Sequence, residues 1–320
     1  MDVFFYEAFA EEQPEIEQHL GLGVSAGYTG RTIQEEGHAQ PPAKLISIRT
    51  QSVIPPGWAG ALSGILARST GYDHLVAYRH ATRTPAALGS LSKYCGRAVA
   101  EQAALLWMSL LRRLPIQMRQ FAEFKRDGVT GLECEHRTLL VVGVGDIGHQ
   151  VARIGHGLGM KVLGVDPVHK HPDVQYVEID DALPRADVMA CAMNLTADNT
   201  HYFSYDRLCH AKRGAIFVNV SRGEFSPSAD LLRALDEGIL SGVGLDVFND
   251  EQALAHSLRS GGPANAEIEA VRQLQLRPDV ILTPHNAFNT HEAVARKSAQ
   301  TAQQVHHFLK TGEFIWKVSE

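Results

Sequence analysis

Apolar and polar positions in the last two thirds of the chain form two alternating kinds of segment. Short apolar runs rich in β-branched residues predict buried strands, and apolar residues three or four positions apart predict helices. Their repeated alternation predicts an α/β domain with a parallel, doubly wound sheet. The predicted strands of this sheet are Thr138–Val142, Lys161–Val165, Val174–Ile179, Ala186–Met193, Ala215–Val220, Gly242–Val247 and Val280–Leu282.

The same reasoning predicts helices between these strands and after them. Residues 249–278 contain no clear strand and are interpreted as an insertion. The chain closes with a strand-like piece, Phe314–Val318. The predicted helices include Ser204–His210, Ser228–Asp236 and a final helix, Asn289–Lys310.

The first part of the chain predicts a smaller α/β domain of its own. Residues 21–43 are rich in Gly, Pro, Gln and Glu and receive no firm assignment. The predicted elements are strands at Val3–Tyr6, Leu45–Arg49 and Gly64–Arg68, and a short helix at Pro14–Leu20.

The segment from Ala98 to Leu114 predicts a long helix that is apolar on nearly every side. Such a helix must be buried all round. Burial between two subunits, which would make a homodimer, and burial between two domains of one chain are both open. We place a domain boundary just before this helix.

A glycine-rich turn follows the first strand of the larger domain, with Gly143, Gly145 and Gly148 in the pattern Gly-x-Gly-x-x-Gly. In a dinucleotide site these glycines permit the tight turn, the approach of backbone to a pyrophosphate, and close packing of helix on sheet. The helix N-terminus offers free N–H groups to the phosphates. Glycines alone would equally mark an ordinary strand–helix turn. Strand, triplet, helix, second strand and acidic residue in register favour the dinucleotide site.

The acidic residue of this pattern is Asp166, at the end of the second strand. Its carboxylate can accept hydrogen bonds from both hydroxyls of the adenosine ribose. A carboxylate there repels a 2′-phosphate, so NAD is favoured over NADP. His169, Lys170 and His171 follow closely and leave some dual use open.

Composition excludes several other classes of protein. The formal charge of −6 and the lack of a dominant basic patch argue against nucleic acid as the main partner. No segment approaches the ~20 apolar residues of a membrane span, and no secretory signal is visible. Four scattered cysteines without a Cys-x-x-Cys pair indicate reduced thiols in a cytoplasmic protein. None of the sixteen histidines shows a metal-ligand spacing, so no metal is expected.

Three polar residues, Arg222, Glu251 and His285, come just past predicted strands of the larger domain. Carboxyl ends of parallel strands share one edge of the sheet, so these side chains are expected to converge there. Reduction of a ketone by hydride needs a proton donor, for which protonated imidazole is suited near neutral pH. A carboxylate stabilises the charged imidazole, and an arginine can hold a substrate carboxylate or polarise the ketone. Singly, each of the three is more often a capping, loop or turn residue.

These residues lie in motifs by which the chain resembles the D-isomer-specific 2-hydroxyacid dehydrogenases, from about residue 64 onward. The stretch Pro284–Ala293 and the insertion before it look most like the D-lactate dehydrogenase branch. Gln252, where a proline is common, departs from the family pattern. The matching motifs are Gly143–Gly148 with Asp166, Asn219–Gly223, Gly244–Phe248 leading to Glu251, and Thr283–His285.

The resemblance implies roles by position. His285 would be the acid/base, Glu251 its partner and Arg222 the substrate-binding arginine. Backbone N–H groups near Thr70 and Gly71 would clamp the substrate carboxylate. Tyr94 would line the substrate pocket, and Arg49 would either meet a second anionic group of a larger substrate or face solvent. Asp246 would hold the nicotinamide carboxamide, and the expected cofactor-binding set is Gly143, Gly145, Asp146, Ile147, Gly148, Asp166, Asn194, Val220 and Asp246.

The resemblance also implies two Rossmann-like domains. Residues 98–287 would form the NAD-binding domain, and residues 1–97 with 288–320 a smaller, discontinuous, flavodoxin-like substrate domain. The expected activity is NAD-dependent interconversion of a 2-oxo acid and its D-2-hydroxy acid, with a pyruvate-like substrate as first choice. Glyoxylate, hydroxypyruvate or a bulkier 2-oxo acid are the alternatives. A non-catalytic NAD(H)-sensing protein of the same fold is the competing hypothesis.

Overall fold

The computed structural model describes residues 1–318 of the chain. These residues divide into two compact units. The first unit combines Met1–Cys95 with the C-terminal segment that begins at Asn289, and the second is Gly96–Phe288. The first unit is therefore built from both ends of the chain.

The first unit carries a five-stranded parallel sheet in the order β2-β1-β3-β4-β5. The sequence pattern predicted β1, β3 and β4 but missed β2 and β5. Both missed strands have only three residues and contain a glycine, which weakens the apolar alternation that marks a strand. The strands are β1 (Val3–Phe5), β2 (Ala26–Tyr28), β3 (Leu45–Ile48), β4 (Gly64–Ala67) and β5 (Ala87–Gly89).

The second unit carries a seven-stranded sheet in the order β12-β11-β10-β9-β6-β7-β8, and every pairing is parallel. The predicted doubly wound α/β class is thereby confirmed. Strand order reverses between β6 and β9, and open parallel sheets bind ligands outside the strand ends at such a point. The strands are β6 (Thr138–Val142), β7 (Lys161–Val165), β8 (Gln175–Tyr176), β9 (Val188–Cys191), β10 (Ala215–Asn219), β11 (Leu240–Leu245) and β12 (Val280–Leu282).

Twelve α-helices occur within residues 1–318. The last of them begins after Thr290, whose side-chain oxygen accepts a hydrogen bond from the Ala293 N–H, and ends at Gly312 in the left-handed region. The helices are α1 (Glu12–Leu20), α2 (Ile33–Glu36), α3 (Asp73–Thr82), α4 (Gly96–Leu111), α5 (Leu114–Gln120), α6 (Asp146–Gly157), α7 (Ile179–Ala182), α8 (Tyr205–Leu208), α9 (Ser228–Asp236), α10 (Glu251–Ser260), α11 (Ala266–Leu276) and α12 (His291–Thr311).

Two predictions about individual elements were wrong in part. The predicted strand Val174–Ile179 shrinks to the two residues of β8, because Ile179 already begins α7. The strand-like end of the chain makes a single bridge, between Lys317 and Gly89. In helix α4, Leu105 and Met108 are exposed in the single chain, so burial of this helix between two subunits stays a prediction. No helix in the part of the chain that the structure describes is both long and apolar enough to cross a membrane.

Helices α1 and α12 of the first unit meet around a buried group of charges. The Glu12 carboxylate accepts a hydrogen bond from Arg68 Nε at 2.9 Å and pairs with Lys297 Nζ at 2.7 Å. All three side chains are at most 1% exposed. Burial lowers the pKa of Lys297 to about 7, although Glu12 opposes this shift. Burial also acts to raise the pKa of Glu12, but the two cations hold it well below its ordinary value.

The depressed pKa of Lys297 predicts a pH dependence of stability. Between pH 7 and about 10.4, the ordinary lysine pKa, the unfolded chain binds more protons at this position, so the free energy of unfolding rises with pH. We expect Lys297→Met to flatten this rise, measured by urea unfolding at pH 7.5 and 9.5. Lys310→Met, on the exposed face of the same helix, should keep the wild-type slope. Equal slopes in wild type and Lys297→Met would contradict the prediction.

Candidate active site

The glycine-rich turn between β6 and α6 has the shape that the sequence predicted. Gly143 has φ +88°, and a Cβ there would lie 2.6 Å from Met193 Cα. A Cβ on Gly148 would lie 1.9 Å from the Gly143 carbonyl oxygen, so the helix can approach the turn only without a side chain. Beside Gly145, at the start of α6, the space is open. This open cradle of backbone at a helix N-terminus fits the pyrophosphate of a dinucleotide.

The residues around this turn complete the predicted cofactor site. Asp146 and Ile147 form the first residues of α6. Asp166 follows β7, and its Oδ2 accepts the Val144 N–H at 2.7 Å while Oδ1 accepts the Val168 N–H at 2.8 Å. These bonds tie the carboxylate to the glycine-rich turn, and each oxygen keeps a lone pair for a ribose hydroxyl.

Changing Asp166 should therefore change the choice of cofactor. We expect Asp166→Ala and Asp166→Asn to lower the NADH-to-NADPH ratio of kcat/KM by about tenfold or more, because a like charge beside the 2′-phosphate costs several kcal/mol. The Asn variant removes the charge with least disturbance of the turn. The measurement is initial rate against each cofactor at one substrate concentration. An unchanged ratio would show that another residue sets the preference.

Asn194 and Val220 lie beyond the ends of β9 and β10. The Asn194 carbonyl accepts a hydrogen bond from Asn199 Nδ2 at 2.9 Å, and Val220 is buried with its N–H toward the Cys191 carbonyl. Asn194 therefore lies past the end of a strand at the reversal of strand order, and Val220 past the end of the next strand in the sheet. Their contacts with the cofactor remain predictions.

The loop that carries Arg222 is held by Asn219, a fully buried residue to which the sequence analysis gave no role. Asn219 Nδ2 donates to the Arg222 carbonyl at 2.8 Å and to Ser226 Oγ at 3.1 Å, and Oδ1 accepts the Ser221 N–H. The sequence shows only an asparagine at the end of an apolar strand, before Ser-Arg-Gly, and this does not identify its partners. Such a residue needs partners, and the following loop supplies them.

Gly223 brings this loop against the chain that leads to Glu251. A Cβ on Gly223 would lie 1.8 Å from the carbonyl carbon of Phe248 and 2.1 Å from the Asn249 nitrogen. Only glycine allows that approach. The backbone next to Arg222 therefore packs on the segment that precedes Glu251, and the convergence of the Arg222 side chain with Glu251 and His285 stays a prediction.

His285 and Glu251, 34 residues apart in sequence, form a hydrogen-bonded pair. The Nδ1 atom of His285 lies 2.8 and 2.9 Å from the two carboxylate oxygens of Glu251. The side chains are 19% and 20% exposed, so both are sheltered but reachable. With Nδ1 held by the carboxylate, Nε2 is the atom left to exchange a proton with a substrate.

Each of the two loops that carry this pair contains a residue with a positive φ angle. His285 has φ +51°, and Asp250, directly before Glu251, has φ +52°. Residues other than glycine adopt this region at a cost of order 1–3 kcal/mol, and such strain is concentrated at functional sites. The surrounding contacts must therefore hold both loops in place.

Asp246 supplies the contacts for the histidine loop. Its Oδ1 accepts hydrogen bonds from Thr283 Oγ1 at 2.5 Å and the Asn286 N–H at 2.9 Å, and Oδ2 accepts the Ala287 N–H at 2.8 Å. Burial raises the pKa of Asp246, while these hydrogen bonds act in the opposite direction. The side chain is fully buried, so its visible role is to anchor the segment around His285. The predicted contact with the nicotinamide remains a prediction.

The remaining candidates, Arg49, Thr70, Gly71 and Tyr94, belong to the first unit. Arg49 is only 9% exposed, with its guanidinium carbon 4.2 Å from the centre of the Phe9 ring, so it does not face solvent. Thr70 Oγ1 lies 3.9 Å from Cys95 Sγ, and the Gly71 carbonyl accepts from Ser69 Oγ at 2.6 Å. Tyr94 is buried, which raises the pKa of its hydroxyl well above the ordinary value. Their contacts with substrate remain predictions.

The chain is similar to a known protein family and, over most of its length, to individual proteins. Residues 104–287 match the family model described as the NAD-binding domain of D-isomer specific 2-hydroxyacid dehydrogenases. The 2-hydroxyacid dehydrogenase A of Aspergillus oryzae is 31% identical over 262 residues, covering 80% of this chain and 75% of the relative. A D-lactate dehydrogenase of Streptococcus agalactiae is 28% identical over 310 residues, covering 94% and 93%.

The fold is also similar to that of solved structures. The D-lactate dehydrogenase of Aquifex aeolicus, solved with NAD and lactic acid, superposes with a TM-score of 0.87 at 26% identity and covers 99% of this chain and 100% of its own. D-2-hydroxyisocaproate dehydrogenase, at 24% identity and a TM-score of 0.83, shares the fold.

Proposed function

Because the chain belongs to the D-isomer specific 2-hydroxyacid dehydrogenases, an NAD-dependent enzyme family, we propose that it reduces pyruvate, or a closely similar small 2-oxo acid, to the D-2-hydroxy acid. The observation that carries this proposal is the His285–Glu251 pair on a loop anchored by Asp246. The Aquifex aeolicus enzyme, solved with lactic acid, is similar over the whole chain and makes pyruvate the first substrate to test.

NAD, when bound, supplies or accepts the hydride. His285 then donates a proton from Nε2 to the oxygen of the reduced carbonyl, and takes it back in the reverse direction. Glu251 holds the ring by Nδ1 and balances the positive charge of the imidazolium. Arg222 binds the substrate carboxylate or the carbonyl oxygen through its planar set of N–H donors. In the first unit, Thr70 and Gly71 would offer backbone N–H groups to a substrate carboxylate, and Tyr94 would line the substrate pocket.

Two observations make bulkier substrates the main alternative. An aromatic 2-oxoacid reductase of Clostridium sporogenes is 28% identical over 231 residues, covering 70% of this chain. Arg49 is buried in the first unit against the Phe9 ring and would suit a second anionic group if one reached it. Glyoxylate and hydroxypyruvate remain smaller alternatives.

The test is oxidation of NADH by the purified protein, followed at 340 nm. The panel contains pyruvate, glyoxylate, hydroxypyruvate, phenylpyruvate and oxaloacetate, and the chirality of the product is determined by chiral chromatography. We expect the highest kcat/KM with pyruvate and a D product. Intact NADH binding without turnover on any member would favour the NAD(H)-sensing hypothesis over the enzyme.

A homodimer is the second part of the proposal. The second unit exposes a set of large apolar side chains on α4 and on the segment that follows it, more than a solvated face needs. Light scattering after gel filtration should give twice the mass of the 35.0 kDa chain, and a monomer at micromolar concentration would reject it. The exposed set is Leu105, Met108, Leu114, Met118, Phe121, Phe124 and Leu132.

A further inference from the structure

A second group of titratable side chains lies in the second unit, apart from the His285–Glu251 pair. His149 belongs to the second turn of α6, while His171 and Asp173 belong to the loop between β7 and β8. One potential ligand atom from each of the three lies within 4.8 Å of the others. The sequence itself predicts no metal site, because His149 and His171 are 22 positions apart and only the folded chain brings them together.

The three side chains of this group lie close to one another. His149 Nε2 lies 3.0 and 3.1 Å from the two oxygens of Asp173. The His149 and His171 rings stack with centroids 3.7 Å apart and planes 9° apart. Nε2 of His171 is buried and has no hydrogen-bond partner among residues 1–318. A buried ring nitrogen without a protein partner requires a further explanation, such as an ion or a water.

The charge of this group and the contacts that hold its loop in place also suit a cation. Asp173 supplies a carboxylate, which is ionised at neutral pH at the ordinary aspartate pKa, and His149 contacts both of its oxygens. His156, two turns further along α6, lies with Nε2 2.9 Å from the Asp173 carbonyl oxygen and holds the loop beside the helix. As an ion pair alone, a partly exposed His149–Asp173 contact contributes little to stability.

We propose that His149, His171 and Asp173 bind a divalent transition-metal ion of the zinc class. Two imidazoles and one carboxylate are a known zinc donor set, and the fourth position is completed by water. Mg²⁺ and Ca²⁺ prefer oxygen ligands and are excluded by the two imidazoles. Ligand atoms of a tetrahedral zinc site lie roughly 3.3 Å apart, given bonds of about 2.0–2.1 Å. Movement of the exposed Asp173 and rotation of the stacked rings would close the remaining distance.

The bound ion would join α6 to the loop that begins at Asp166. Both elements also carry parts of the predicted NAD site, the helix N-terminus and the ribose carboxylate. The ion would have a structural role. Its ligands belong to this surface group, and His285, the proposed proton donor, is not among them.

The experiment uses the full chain, stripped with EDTA and dialysed, without NAD or substrate. Zn²⁺ binding is measured by competition with a chromophoric chelator, and Co²⁺ binding by its visible absorption. We expect one equivalent of Zn²⁺ per chain, unaffected by a large excess of Mg²⁺. His149→Ala, His171→Ala and Asp173→Asn should each weaken binding by about tenfold or more.

The matched control is His169→Ala, which removes a histidine from the same loop but not from the ligand set. It should bind Zn²⁺ within about twofold of wild type. Melting temperatures in EDTA show whether each variant is folded, and three independent ligand variants protect the test from one that is not. Absence of Zn²⁺ binding by wild type at about 100 μM, or equal affinity in wild type and all three ligand variants, would overturn the proposal.

Discussion

Replacing His285 with alanine is expected to lower kcat for 2-oxo acid reduction by about 10²–10⁴-fold while leaving NADH affinity nearly unchanged. The reason is that, in the proposed mechanism, the imidazole gives a proton to the developing alkoxide while Glu251 holds Nδ1 at 2.8–2.9 Å. The cofactor residues around Gly143–Gly148 and Asp166 belong to other loops. Steady-state kinetics at saturating NADH and titration of NADH fluorescence measure the two quantities separately.

The control for this variant is His306→Ala, which removes an exposed histidine from α12. Its kcat should equal that of wild type. Glu251→Gln keeps the shape of the partner but removes its charge, so its kcat should fall between those of wild type and His285→Ala. A His285→Ala enzyme that retains more than about a tenth of the wild-type kcat would reject the histidine as proton donor.

Replacing Arg222 with alanine is expected to reduce kcat/KM by about 10²–10³-fold, with KM raised and kcat lowered together. In the proposed mechanism the guanidinium binds the substrate carboxylate, or it binds the carbonyl oxygen, whose negative charge grows in the transition state, so binding and turnover should both suffer. Arg222→Lys should recover only part of the loss, since an ammonium group cannot form two parallel hydrogen bonds.

Arg233→Ala is the matched control, because Arg233 lies on the exposed side of α9, where it pairs with Glu237 at 2.9 Å and lies over the Tyr205 ring. Its kcat/KM should stay within about twofold of wild type. If Arg222→Ala raised KM for NADH and left the 2-oxo acid KM unchanged, Arg222 would be a cofactor residue and its proposed role would be wrong.

Local pattern predicted the second unit better than the first. The sequence predicted the exact bounds of four elements, because apolar runs and helical spacing depend on residues close together in the chain. These elements are β6, β7, β12 and α9. β2 and β5 were missed because a three-residue strand containing glycine carries almost no alternation, and its place in the sheet depends on distant partners. For α4, the apolar pattern predicted burial but not what covers Leu105 and Met108, which the single chain leaves exposed.

The candidate site divides in the same way. Residue types and positions past strand ends made Arg222, Glu251 and His285 the candidates, and the motifs identified the family. The roles of Asn219 and Asp246 as anchors of the two loops could not be predicted, because each depends on hydrogen bonds to backbone atoms whose positions only the fold determines.

By itself, the sequence determined the α/β class, the glycine-rich turn with its acidic partner, and the kinds of side chain at the strand ends. Those features depend on residues close together in the chain, whose side-chain chemistry and spacing are visible without coordinates. Only the tertiary structure decided that His285 Nδ1 meets Glu251, that Gly223 packs on Phe248, and that His149 stacks on His171. These contacts join residues 22–34 positions apart, and the order of strands in the sheet, which no local pattern encodes, determines which of them meet.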